Sequence, residues 1–136
     1  MISESLLREL FRHLRTWLAN LQRAGGERRR ESVAALRAVI IAARHTQAYM
    51  RKLKIEQKQG HREEARLAGM WTELGFRLAD LNLKRLAKRC DINGRYWADP
   101  EQFDADFLRQ ADVGLQRMEQ LARQMVAEIE TGGKNR

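Results

Sequence analysis

Residues 27–60 read ERRRESVAALRAVIIAARHTQAYMRKLKIEQKQG, a stretch without proline and with its first glycine at Gly60. Leu36, Ile40, Ala43, Gln47 and Met50 recur at intervals of four and three, one face of an α-helix, with Val39 and Leu53 at its margin. A second face collects Ala34, Ala38, Ile41, Ala42, His45 and Tyr49. Between the two runs a strip of cations at every seventh residue: Arg30, Arg37, Arg44, Arg51 and Lys58. A helix on the outside of a monomeric bundle needs one broad apolar stripe. Two such faces predict that the second meets another copy or a partner helix, the alternative being that the first and last helices cover both by an asymmetric packing.

The flanking sequence continues in the same period. Upstream, Leu7, Leu10, Leu14, Trp17 and Leu21 form one stripe, widened by Leu6, Phe11 and Leu18, with Ser3 as cap and Gly25-Gly26 as stop. Downstream, Leu67, Trp71, Leu74, Leu78 and Leu81 form another. Phe76, Ala79, Leu83, Leu86 and Cys90 fall well away from it, and Gly69 and Gly75 predict either a close helix approach or a kink. DINGRYWADP, residues 91–100, reads as the one proper loop, with Asn93-Gly94 as its turn. Asp99, Pro100 and Gln102 then have the order of a cap, a first helical residue and a capping-box partner. Phe107, Ala111, Leu115, Met118, Leu121, Met125 and Ile129 mark the inner face of the last helix. The expected fold is therefore all-α, one domain over residues 1–131. It is an up-down-up-down four-helix bundle with helices at about 3–24, 27–59, 62–90 and 100–130, a long central hairpin, and a frayed tail at 132–136.

Composition narrows the function classes. The chain has 136 residues, 43% hydrophobic and 32% charged, which is globular rather than disordered. Cys90 is the only cysteine, so an internal disulfide and a multi-cysteine metal site are both excluded. MISESLLREL lacks the basic start of a signal peptide, and no apolar run approaches the roughly 20 residues a membrane span needs, so a cytoplasmic protein without membrane attachment is the expectation. The net charge of +8 is uneven: residues 1–98 carry 21 Lys/Arg against 10 Asp/Glu, residues 99–136 carry 5 against 8. That asymmetry fits a polyanion partner, and equally helices that attract one another. The 20 arginines also fit a GC-rich coding genome.

Candidate chemistry is sparse. Arg28, Arg29 and Arg30 with the strip through Lys58, and a second cluster of Lys84, Arg85, Lys88, Arg89 and Arg95 followed by Tyr96 and Trp97, are the candidate polyanion contacts. No helix-turn-helix spacing or glycine-rich cradle accompanies them, so any nucleic-acid binding would be sequence-nonspecific. No Glu-x-x-His pair occurs, and neither His61 with Glu64 nor His13 with Glu9 has companion ligands, so no metal and no cofactor is expected. Arg8 to His13 has the Arg-x4-His spacing found in some helical ribonucleases of the HEPN group, a match that 20 arginines and three histidines produce by chance, and no assignment follows from it. His45 and Tyr49, one turn apart, would need a carboxylate from another helix to become catalytic. The expectation is a non-enzymatic interaction module, a homodimer or a subunit of a larger assembly, touching its partner through Ala34, Ala38, Ile41, Ala42, His45 and Tyr49. The alternative is a basic nucleic-acid-binding accessory protein.

Overall fold

Helix formers dominate the chain, and in the computed structural model every described element is helical. The structure describes residues 4–102 and 105–134, with side chains for 12–13, 15–21, 23–101 and 114–131. The expected cap Ser3 and the side chains of Leu6, Leu7, Arg8, Glu9, Leu10, Phe11, Leu14, Gln102, Phe107 and Ala111 lie outside them. Helix α1 spans Glu4–Arg23, α2 Gly26–Glu56, α3 His61–Asp80, α4 Lys84–Ala98 and α5 Ala105–Lys134, with a 3-10 turn at Pro100–Gln102. No strand occurs among the described residues.

Five helices stand where four were expected, because the expected helix 62–90 breaks in its middle. Asn82 adopts φ 66°, in the left-handed region. Its N–H donates to the Ala79 carbonyl (3.0 Å), and the Leu83 N–H donates to the Leu78 carbonyl (2.8 Å). This is a Schellman ending in which asparagine takes the position usually held by glycine. Leu78 and Leu83, the two residues such an ending brings together, are both buried. The chain reverses there, and α4 returns along α3. The long hairpin partner of α2 is consequently only 20 residues.

The expected loop at 91–100 is likewise mostly helix. Asn93-Gly94 is no turn: Asn93 Nδ2 donates to the Arg89 carbonyl one turn back (3.0 Å). Gly94 is buried against α3, where a Cβ would collide with Thr72 Oγ1 and come 3.3 Å from the Ala68 carbonyl. At Gly75 a Cβ would meet the Ala87 carbonyl at 3.3 Å. These two glycines let the α3 and α4 backbones approach closely; packing, not a turn, requires them. At the other hairpin, α2 ends at Glu56 rather than Gln59. Gln57 turns left-handed at φ 52°, its N–H bonded to the Leu53 carbonyl at 2.8 Å.

Residue pairings give the helix directions. Lys52 meets Glu63 and Thr46 meets Trp71, so α2 and α3 run antiparallel. Arg37 meets Glu130 and Arg44 meets Glu119, so α2 and α5 are antiparallel too. Leu115, Met118, Leu121, Met125 and Ile129 on α5 are all buried, and α5 continues through Gly132-Gly133 to Lys134. On α2 the buried stripe is Ser32, Ala35, Leu36, Val39, Ala42, Ala43, Thr46 and Tyr49. It lies between the two apolar faces legible in the sequence, since α5 takes one flank and α3 the other. Trp71 is fully buried at the centre. The helix α1 crosses the α3–α4 turn, fixed by Trp17 Nε1 donating to the Leu81 carbonyl at 2.8 Å.

Candidate functional site

Apart from Ser32, whose hydroxyl donates to the Arg28 carbonyl (2.8 Å), the buried Thr46 and Glu64 side chains anchor two small networks at the α2–α3 contact. Thr46 Oγ1 donates back to the Ala42 carbonyl (2.7 Å) and accepts the Trp71 indole N–H (2.8 Å). One turn on, Tyr49 Oη donates to Glu64 Oε2 (2.7 Å) and accepts the Gly60 N–H (2.9 Å). Burial, reinforced by the hydrogen bond to Glu64, pushes the Tyr49 hydroxyl up to about 12. Trp97 packs edge-on against both Tyr49 (ring centroids 5.4 Å) and Tyr96 (4.7 Å). Burial also raises the Tyr96 hydroxyl, with the Glu64 charge adding to it. Among the described residues, only the Trp97 indole N–H is a buried side-chain group without a hydrogen-bond partner.

Tyr49 thus has a carboxylate from another helix, but His45 stays at the surface, away from that pair. Cys90 is fully buried, and burial drives its thiol up to about 12, which makes it a packing residue rather than a nucleophile. Among the described residues no three His, Cys, Asp or Glu side chains converge on a metal position, and no helix is long and apolar enough to cross a membrane.

Two of the cations in the helix 2 strip lie on the α2–α5 seam. Arg37 Nη2 bonds Glu130 Oε1 and Arg44 Nε bonds Glu119 Oε1, each at 3.0 Å. The basic body and the acidic last helix therefore neutralise part of each other across this seam. Arg28, Arg30, Arg51 and Lys58 are exposed, and Arg29 is half-buried. In the second cluster Lys84, Lys88 and Arg95 are exposed, with Arg95 paired to Asp91 at 3.1 Å. Arg85 and Arg89 are half-buried, and burial lowers the Arg89 guanidinium.

The six expected partner-contact residues divide. Ala42 and Tyr49 are buried in the chain's own interior, Tyr49 against Glu64 of α3 and Trp97 of α4. Ala34, Ile41 and His45 are exposed and Ala38 is half-buried. Ala38 and Ile41 form one wall of a groove of about 740 Å³ between α2 and α3. Its floor includes Ala65 and Gly69, and nothing would lie within 4 Å of a Cβ at Gly69. Across from Ile41 stand Met70 and Phe76, while Arg66, Glu73 and Arg77 edge it. Ile41 is 54% exposed and Phe76 68%. The sequence placed Phe76 off the main stripe of its helix; the roles of Ala65 and Met70 depend on how α3 lies against α2, which no local pattern records.

In comparison with known proteins, no family model, no curated protein and no solved structure matches this chain.

Proposed function

We propose that this chain is a non-enzymatic helical interaction module that self-associates through the α2–α3 groove. One observation carries the reading: two large apolar side chains, Ile41 and Phe76, are exposed at a groove whose lining also includes Ala38, Ala65 and Gly69. Scattered apolar residues at a surface are ordinary; large ones bordering a concave apolar strip mark a contact surface. A second copy suits the chemistry. The groove holds both a knob, Phe76, and a hollow over residues with little or no side chain, so the surface complements itself. Its edge carries both signs of charge on α3, Arg66, Glu73 and Arg77, so it can offer a second copy both a carboxylate and guanidinium groups.

Light scattering on the wild type and on Phe76→Glu and Ile41→Glu tests this. Both positions are exposed, so the variants keep their helical circular dichroism. The wild type runs at about twice the 15.9 kDa chain mass and the variants at the chain mass. Wild type and variants of equal mass would refute the groove as the contact.

The second reading, sequence-nonspecific contact with a phosphate backbone, draws on exposed Arg28, Arg30, Arg51, Lys58, Lys84 and Lys88. The pairing of Arg37 and Arg44 to α5 weakens it. It requires DNA or RNA affinity that falls steeply with salt, with a shallower slope in Arg51→Ala and Lys58→Ala.

A further inference from the structure

A second cavity, of about 480 Å³, opens where α1 crosses the turn between α3 and α4. Its size falls within the roughly 300–1,000 Å³ typical of small-ligand pockets. The inner wall is carbon, from Trp17, Leu83, Leu86 and Leu121, all of them buried. The described mouth is polar, with His13, Thr16, Asn20 and Asn82, and includes the cations Lys84 and Arg85. Among the described residues no carboxylate lines it, whereas the α2–α3 groove includes Glu73 and the notch between α2 and α5 includes Glu130. The bond from Trp17 to the Leu81 carbonyl anchors the α1 side of the wall to the turn below it. The start of α4 reinforces the positive charge of these cations, because Leu83 gives no side-chain cap and the first turn holds no acidic residue.

We infer that this cavity binds a small amphipathic carboxylate, with an apolar body against Trp17, Leu86 and Leu121 and its charge at the Lys84 ammonium. A bare inorganic anion leaves the carbon wall unused, and a neutral apolar molecule leaves the cation unused. The cavity shares no lining residue with the α2–α3 groove, so the inference stands whether or not the chain self-associates.

Calorimetric titration of the full chain with octanoate, and with octan-1-ol as its neutral twin, tests this. Octanoate binds saturably at one site per chain, and octan-1-ol binds about tenfold or more weaker, the loss of one charge-assisted contact. Lys84→Glu weakens octanoate by a similar factor while raising thermal stability, since an acid in the first turn of α4 suits the helix dipole. A folding defect would move both readings down together. Lys58→Glu, the same change in charge at a distant surface site, leaves octanoate binding unchanged, and Asn20→Trp fills the mouth and abolishes it. Absence of saturable binding, equal affinity for octan-1-ol, or equal losses in Lys84→Glu and Lys58→Glu would each overturn the inference.

Discussion

At Thr46 a single hydroxyl closes two hydrogen bonds inside the core, one to its own helix and one to the buried indole of Trp71. Thr46→Val keeps the shape and removes the acceptor, which strands the Trp71 N–H where no water reaches it. The expected loss is about 1–3 kcal/mol in urea unfolding. Thr16→Val at an exposed position, where the hydroxyl bonds only to the Arg12 carbonyl at 3.4 Å, is the control and leaves stability unchanged. Both tyrosines of the chain, Tyr49 and Tyr96, are held in the neutral form by burial. A raised folded-state value means that the stabilisation is fully present below the unfolded tyrosine value of about 10 and is lost as pH rises through the folded one. For Tyr49 that window closes near pH 12. Tyrosinate absorbance of the native chain should therefore stay near baseline at a pH of about 10, where the urea-unfolded chain is half ionised. Equal titration of the two forms would contradict the buried Tyr49–Glu64 contact.

The helices themselves were legible where one period ran unbroken. The stripe on α5 and the two faces of α2 follow directly from spacing, and the structure buries Leu115, Met118, Leu121, Met125 and Ile129 on the one and Leu36, Ala43, Ala42 and Tyr49 on the other. The break at residues 81–83 left a trace that spacing alone misassigned. Leu83, Leu86 and Cys90 are out of phase with Leu67, Trp71, Leu74, Leu78 and Leu81, and a second apolar face on one helix gives the same pattern as a new helix. Asn82 is a weaker stop signal than glycine, so Leu81-Asn82-Leu83 passed as continuous helix. Asn93-Gly94 failed the other way: the dipeptide is a local turn signal, yet Gly94 answers to Thr72 across the helix interface. The left-handed Asn82 gives a test at this level. Asn82→Val places a β-branched side chain at φ 66° and costs about 1–2 kcal/mol, while Asn82→Gly is neutral or stabilising in the same melt. Equal effects of the two substitutions would argue against a chain reversal there.

For the molecule as a whole, the question posed by residues 27–60 was what covers a helix with two apolar flanks. Inside one chain the answer is α5 on one side and α3 on the other, and the arginines at the first seam are tied to Glu119 and Glu130. That internal cover reaches Ala42 and Tyr49 and stops short of Ile41, whose neighbour across the groove, Phe76, is left at the surface as well. The sequence marked α2 but not the α3 side of the groove, because Gly69, Met70 and Phe76 come to line it only once α3 has docked. Sedimentation equilibrium over a wide concentration range tests the account most directly. It predicts a monomer–dimer curve rising from 15.9 kDa toward twice that mass, persisting at high salt because the contact is apolar at its centre. A single species of the chain mass at every concentration would contradict it.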